Sequence, residues 1–173
     1  MDVTKPEQIK RFLNDLGRQI RRPLRVSIGG SASLILGGYL SRRTEDVDVV
    51  DELPPEIRSQ YALLDHLKEV HDLELAHFQS HYLPASWDKR IHSLAPFDKL
   101  QVSLVDVYDV FLSKLFSARA KDKKDLIAVL PQLDKETLVL KLKESTQSML
   151  AAPDLRERAE NNWYMLFGES LPT

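Results

Sequence analysis

The sequence contains no cysteine, which excludes disulfide bonds, thiolate zinc sites and a cysteine nucleophile. It has no apolar run near the ~18 residues that a membrane-spanning helix needs, and residues 1–8 lack the apolar segment of a signal peptide. The formal net charge is only −2, so bulk electrostatics do not indicate a long polyanionic partner, although a locally basic groove could still hold a nucleotide. These absences predict a soluble, cytoplasmic protein with no membrane partner.

The length of 173 residues favours one compact unit with room for a helical second lobe. Mixed helical and strand patterns fill the first part of the chain, and helical patterns alone fill the last part. We therefore predict an α+β fold: a small mixed β-sheet flanked by helices over residues 1–105, followed by a C-terminal helical bundle over residues 106–173. The bundle is expected to pack on the core as one compact unit.

Hydrophobic periodicity predicts the individual elements. Strands are expected over Leu24–Ile28, Val47–Val50 and Leu100–Val105. Helices are expected over Pro6–Ile20, Ser31–Tyr39, from Pro54-Pro55 onward, over Val107–Ala118 and Lys121–Leu130, from Asp134 or Lys135 to Met149, and over Asp154–Phe167.

Two details of these helices are specific enough to test. Thr4 with Glu7 has the spacing of a capping box for the first helix, and Tyr61, Leu64, Leu67 and Val70 form an apolar stripe on the helix after Pro54. Residues 72–98 show a weak pattern, in which short strands and loops are expected without assigned bounds.

Two short segments carry residues suited to phosphate and metal chemistry. Gly29, Gly30 and Ser31 follow a strand and open a helix, where glycine lets the backbone approach a phosphate and the hydroxyl and free N–H groups can bind its oxygens. Asp46 and Asp48 are two apart on a strand, so their carboxylates share one face. Such a pair can hold divalent cations, and Mg²⁺ prefers oxygen ligands.

These segments resemble the signature of the nucleotidyltransferase superfamily: a Gly-Gly/Ser turn followed by an Asp-x-Asp strand, preceded in one bacterial branch by Arg-x-Thr-x. Here the matching residues are Gly29-Gly30-Ser31-Ala32 and Arg43-Thr44-Glu45-Asp46-Val47-Asp48. A second block, from Val105 to Leu115 and from Ala118 to Leu126, is similar to the downstream helix pair of that branch, and Trp87–Arg90 also resembles it. The branch includes uncharacterised bacterial nucleotidyltransferase-like proteins and is similar to the abortive-infection and toxin–antitoxin nucleotidyltransferases.

The resemblance implies a polymerase-β-like fold and a role for each matching residue. Asp46 and Asp48 would bind Mg²⁺, with two ions expected to fit and Mn²⁺ to substitute, and Lys114 would reach a phosphate or nucleotide oxygen as the third catalytic residue. Gly29, Gly30, Ser31, Arg43, Thr44, Arg119 and Asp122 would form the nucleotide site. The implied reaction transfers a nucleoside monophosphate from a nucleoside triphosphate to a hydroxyl of an RNA, a protein or a small molecule, in a system with an antitoxin-like partner protein.

One departure from the superfamily keeps other functions open. A third carboxylate is expected on a later strand, but the polar face of Leu100–Val105 carries Gln101 and Ser103, and Asp98 and Asp106 only flank the strand. A non-catalytic relative that binds a nucleotide or a partner protein is therefore an alternative. A second alternative is a helical interaction module in which Asp46 and Asp48 are simply solvated. The five histidines lack the spacing of a helical zinc site.

Overall fold

A computed structural model describes residues 2–51 and 53–172. It contains a five-stranded mixed sheet with strand order β3-β2-β1-β5-β4. The strands are β1 (Leu24–Gly29), β2 (Asp46–Val50), β3 (Glu74–Phe78), β4 (His92–Phe97) and β5 (Leu100–Leu104). The helices are α1 (Pro6–Gln19), α2 (Gly30–Leu36), α3 (Pro55–Arg58), α4 (Tyr61–His71), α5 (Val107–Leu115), α6 (Ala120–Val129), α7 (Lys135–Ser145), α8 (Gln147–Leu150) and α9 (Pro153–Phe167). The predicted α+β fold, with a mixed sheet and C-terminal helices, is confirmed.

The chain forms two compact units. The first contains the residues up to Ser80 together with Ile91–Val105, and the second contains His81–Arg90 together with the residues from Asp106 onward. The prediction from sequence placed one boundary near residue 105, and did not anticipate that residues 81–90 group with the helical part. Among the described residues, no helix has the length and apolar character needed to cross a membrane.

The core of the first unit lies on one face of the sheet. Alternate residues of the central strands, such as Val26, Ile28, Val47 and Val49, are buried there together with one side of α1, α2 and α4. Because side chains alternate along a strand, the residues between them face the other side. The resulting polar face carries both aspartates of β2.

Helix α1 approaches the sheet so closely that one of its positions has no room for a side chain. A Cβ atom at Gly17 would lie 1.7 Å from the carbonyl oxygen of Phe97, at the end of β4. Gly17 is therefore required by packing, although glycine is a poor helix former. The helix continues past it to Gln19.

The predicted capping box at the start of α1 is wrong. Lys5 is the N-cap residue and makes no side-chain cap, and Thr4 is buried. The Thr4 hydroxyl donates to the Thr44 carbonyl oxygen at 3.0 Å and accepts from the Thr44 N–H at 2.8 Å. Thr4 thus fixes the segment that enters β2.

The helix predicted after Pro54 is also corrected. It is two helices, α3 and α4, rather than one. Leu67 is buried, but Tyr61 and Val70 are 74% and 57% exposed. The apolar stripe is therefore narrower than its i, i+3 spacing suggested, because only part of α4 contacts the core.

Two strands, β3 and β4, lie in the region where short strands were expected without assigned bounds. β3 pairs in parallel with β2, and β4 pairs antiparallel with β5 through a register shift between Ser93 and Ala95. Both are edge strands of the sheet, and β3 has no fully buried residue. Edge strands with mixed polar residues are specified by their partner strands more than by their own pattern.

The second unit is helical, and an ion pair fixes the segment 81–90 within it. Arg90 Nε donates to Asp109 Oδ2 at 2.8 Å and Arg90 Nη2 donates to Asp109 Oδ1 at 2.9 Å. Asp109 lies on α5 and is fully buried. The hydrogen bond to Asp109 raises the pKa of Arg90 above its ordinary value. A bidentate pair of this kind fixes the orientation of both side chains.

The predicted helix Asp134–Met149 is interrupted. α7 ends at Ser145 and α8 begins at Gln147, and the buried Thr146 between them donates its hydroxyl to the Leu142 carbonyl oxygen. Asp134 caps α7 by accepting from the Thr137 N–H at 2.9 Å.

Candidate active site

No residue separates β1 from α2, because Gly29 ends the strand and Gly30 begins the helix. Gly30 has a φ of +60°, and a Cβ atom there would lie 2.2 Å from Asp48 Oδ2. Glycine is needed for both reasons, since an L side chain disfavours this φ and there is no space for it. The Asp48 carboxylate therefore lies directly against the turn.

The register of β1 and β2 explains this placement. The two strands are antiparallel, with Gly29 opposite Asp48 and Ile28 opposite Val49. Val47 and Val49 are 0% and 3% exposed in the core, so Asp46 and Asp48 point to the opposite face. Asp46 is exposed and Asp48 is half-buried. The structure thus brings both predicted metal-binding carboxylates to one face, beside the glycine turn.

Ser31, the third residue of the predicted turn, is buried and accepts a hydrogen bond from Arg42 Nη2. Arg42 is half-buried and also donates from Nη1 to the carbonyl oxygen of Arg43 at 2.7 Å. A guanidinium group with five donors suits the recognition of phosphate. Arg42 places a positive charge within one hydrogen bond of the turn. It was not among the nucleotide-binding residues predicted from the sequence.

The neighbouring Arg43, which the sequence analysis placed in the nucleotide site, makes different contacts. Its Nη2 contacts Glu45 Oε1 at 3.0 Å and Asp72 Oδ2 at 2.8 Å. The sequence did indicate Arg42. In the pattern Arg-x-Thr-x followed by aspartate, the arginine lies four residues before the aspartate, which is position 42 when the aspartate is Asp46. Thr44 lies at the entry to β2, where its backbone is bonded to the Thr4 hydroxyl.

The position expected for a third carboxylate is occupied by neutral residues. β5 is parallel to β1, with Ser103 opposite Ser27 and Gln101 opposite Arg25, so both lie on the face that carries Asp48. Among residues 2–51 and 53–172, no group of three or more acidic, histidine or cysteine side chains could hold a metal ion.

The two acids that flank β5 have structural positions. Asp98 has a φ of +55° between β4 and β5. Asp106 caps α5 in the second unit, where its Oδ2 accepts from the Tyr108 N–H at 3.0 Å. The strand β5 runs in regular register with β1 from Leu24 opposite Leu100 to Ile28 opposite Leu104, so it shows no shift that would bring either acid onto its polar face.

A further acid, Glu74, lies on the same face of the sheet as Asp46 and was not found from the sequence. β3 places Glu74 opposite Asp46, and its carboxylate contacts Lys68 Nζ at 2.9 Å. The weak pattern of residues 72–98 concealed it, because only the pairing with β2 fixes which way this strand faces.

The remaining predicted residues lie together in the second unit. Lys114 is buried, and its Nζ lies 2.8 Å from Asp122 Oδ1 and 3.0 Å from Asp125 Oδ2. Ser117 Oγ donates to Asp122 Oδ2 at 2.6 Å, and Arg119 Nε lies 3.9 Å from the same oxygen. Asp122 therefore joins Lys114 to the exposed Arg119. The role of these residues in nucleotide binding stays a prediction.

Residues 7–166 match a family described as "Nucleotidyltransferase of unknown function (DUF6036)". No curated protein and no solved structure matches the chain significantly.

Proposed function

We propose that this chain, which belongs to the family of nucleotidyltransferases of unknown function just described, uses Asp46 and Asp48 to transfer a nucleoside monophosphate from a nucleoside triphosphate to a hydroxyl. In this reaction the acceptor oxygen bonds to the α-phosphorus, the bond to pyrophosphate breaks, and the hydroxyl proton is lost to water. The observation that carries the proposal is the contact between Asp48 and Gly30, which joins the acidic strand to the glycine turn.

The donor set fits Mg²⁺. Asp46 and Asp48 offer carboxylate oxygens on one face, and Mg²⁺ is usually held by one or two carboxylates, with substrate phosphates and water completing its ligands. When bound, the ion would polarise phosphate oxygens and offset their charge. The half-buried Asp48 would be the more fixed ligand, because the register with Gly29 holds it in place.

The phosphate groups would be bound from the other side by the turn and by Arg42. The bond between Arg42 and the Ser31 hydroxyl keeps the guanidinium group at the start of α2. Its charge would offset part of the triphosphate charge, and Ser31 would be oriented for a phosphate oxygen. Gly30 has no side chain of its own, so a phosphate could approach the backbone there next to the Asp48 carboxylate.

The proposal is tested by nucleotide binding and by transfer of labelled nucleotide. We expect Mn²⁺ with a nucleoside triphosphate to raise the melting temperature, and Asp46→Asn and Asp48→Asn each to abolish both this shift and the transfer. Glu69→Gln is the control, because it removes a carboxylate from the exposed surface of α4 in the same unit. Transfer that survives Asp46→Asn would refute the proposed role of the strand.

A second candidate is nucleotide binding without transfer. It is favoured by one observation, the neutral Gln101 and Ser103 on the strand face where the third carboxylate is expected. This candidate predicts the same stabilisation by Mn²⁺ and nucleotide, lost in Asp48→Asn, together with no transfer to RNA, protein or small-molecule acceptors. Turnover on any acceptor that depends on Asp46 would exclude it.

A further inference from the structure

A cluster of positive charge lies at the corner of the first unit where α1 ends and β1 begins. Four arginines occur within eight residues: Arg18, Arg21, Arg22 and Arg25. All four are exposed. Together with Lys99 they are called here the basic corner.

Backbone contacts bring Lys99 to this place although it is distant in sequence. Its N–H donates to the Gly17 carbonyl oxygen at 3.4 Å, its carbonyl accepts from the Leu24 N–H at 2.9 Å, and its Nζ donates to the Ile20 carbonyl oxygen at 3.1 Å. These bonds join the connection between β4 and β5 to both ends of the connection between α1 and β1. Lys99 therefore lies beside the segment that carries the four arginines.

The charge of the basic corner is mostly uncompensated. Arg22 contacts Glu56, and Asp98 is the neighbour of Lys99 in sequence. Five cations and two carboxylates leave an excess of three positive charges, in a chain whose formal net charge is −2. Within the described part of the chain, Arg18, Arg21 and Arg25 form no ion pair. The even balance of the whole sequence thus conceals a local positive surface, which is the property that attracts polyanions.

Arg25 links this corner to the candidate active site. It faces the polar side of the sheet with Gln101 opposite it, and Ser27 follows with Ser103 opposite it. None of these four side chains has a hydrogen-bond partner within residues 2–51 and 53–172. Gly29, which faces Asp48, is four residues further along β1, a distance of about 13 Å at ~3.3 Å per residue.

We propose that the basic corner, together with Ser27, Gln101 and Ser103, binds a single-stranded nucleic acid as the acceptor, with its phosphates on the corner and its terminal hydroxyl directed toward Asp46 and Asp48. This inference rests on the proposed transferase function. Arginine, serine and glutamine side chains are among those that contact phosphate and sugar, and a nucleic acid carries on the same chain the terminal hydroxyl that the transfer needs. The polar side chains of β1 and β5 lead from Arg25 toward Gly29, which gives the nucleic acid a path from the corner to Asp48.

The test measures binding of a fluorescein-labelled oligouridylate by anisotropy, without nucleotide and with EDTA, over a range of salt concentrations. The variant is Arg18→Gln/Arg21→Gln/Arg25→Gln. Each lost phosphate contact lowers the salt slope by about 0.7 for single strands, so the triple variant is expected to lower it by about 2. Lys10→Gln/Lys143→Gln/Arg158→Gln removes three exposed charges elsewhere, and is expected to keep at least nine-tenths of the slope.

Two results would overturn the inference: an equal loss in both triple variants, or displacement of the oligouridylate by polyglutamate at matched charge. Circular dichroism and the melting temperature check that both variants fold. Failure of the inference is distinguishable from failure of the proposed function, because Asp46→Asn is expected to bind the oligouridylate normally while losing transfer. Transfer to a small-molecule acceptor with no oligouridylate binding would leave the function in place and refute the acceptor surface.

Discussion

The carboxylate of Asp48 occupies the space that a side chain on Gly30 would need, with Oδ2 only 2.2 Å from the position of a Cβ atom. Two segments that are separated in sequence by a helix and a loop are thus fitted to each other at the level of single atoms. The glycine turn and the acidic strand therefore form one site, in which a change at Gly30 is expected to alter the position of Asp48.

Gly30→Ala is expected to displace Asp48 and to abolish stabilisation by Mn²⁺ and nucleotide, in addition to a backbone cost of about 1–2 kcal/mol for a side chain at positive φ. The matched control is Gly38→Ala. Gly38 has a φ of +82° with nothing within 4 Å of its added Cβ atom, so it carries the backbone cost alone. Calorimetric Mn²⁺ binding measures the difference, and equal Mn²⁺ affinity in the two variants would contradict the fit.

Arg42 and Arg43 are adjacent arginines with different partners, so they form a natural comparison. Arg42→Gln is expected to weaken nucleoside triphosphate binding about tenfold, since hydrogen bonds to charged groups contribute ~1.5–3 kcal/mol. Arg43→Gln is expected to change it less than twofold, because Arg43 pairs with Glu45 and Asp72. Titration calorimetry measures both affinities. A larger effect at position 43 would reverse the assignment.

Gly17→Ala tests packing against helix propensity. Alanine is favoured over glycine in a helix by ~1 kcal/mol, but its Cβ atom would lie 1.7 Å from the Phe97 carbonyl oxygen. We expect net destabilisation of about 1–3 kcal/mol, the usual cost of overpacking, in urea unfolding. Arg11→Ala, at an exposed position of the same helix, is expected to be near neutral. A more stable Gly17→Ala would show that the approach of α1 to the sheet is looser than described.

Lys114 is expected to be needed for stability as well as for any role with nucleotide. Lys114→Met would leave Asp122 and Asp125 buried without their ammonium partner, and breaking a buried ion pair in this way costs about 3–5 kcal/mol. Lys124→Met removes an exposed lysine from the same helical region and serves as the control. Similar unfolding free energies for the two variants would show that the cluster contributes little.

The cap of α7 predicts a pH dependence. Hydrogen bonds from Thr137 lower the pKa of Asp134 below 3.8, so the folded state prefers the ionised carboxylate. Its contribution is therefore present above pH 3.8 and is lost as the pH falls through the lower, folded pKa. Asp134→Ala is expected to lower the melting temperature at neutral pH, with a difference from the parent protein that narrows in strong acid. A difference that is independent of pH would exclude the charged cap.

Much of the first unit was predictable because its information is local. The strand β1, the glycine turn and the strand β2 are close in sequence, and the alternation of valine with aspartate fixes which face of β2 is polar. The absence of a third carboxylate from the polar face of β5 was predictable for the same reason, because Gln101 and Ser103 alternate with core residues along this strand.

The features that were missed depend on contacts between distant segments. Thr4 matched a capping box, but its hydroxyl is used by Thr44, forty residues away. The face of the sheet on which Glu74 lies depends on the pairing of β3 with β2. Residues 81–90 join the helical unit through the pair of Arg90 with Asp109, which no local pattern specifies.

The strand order also has a consequence for the protein as it is being made. β1 lies between β2 and β5, and β5 begins at Leu100, after the segment 81–90 that belongs to the other unit. The roughly 70 residues between these partners take several seconds to translate at ~5–20 residues per second. During that interval the nascent chain would present the unpaired edge of β1, a surface to which other strands can add. A chaperone that covers this edge until β5 is available would therefore raise the yield of folded protein.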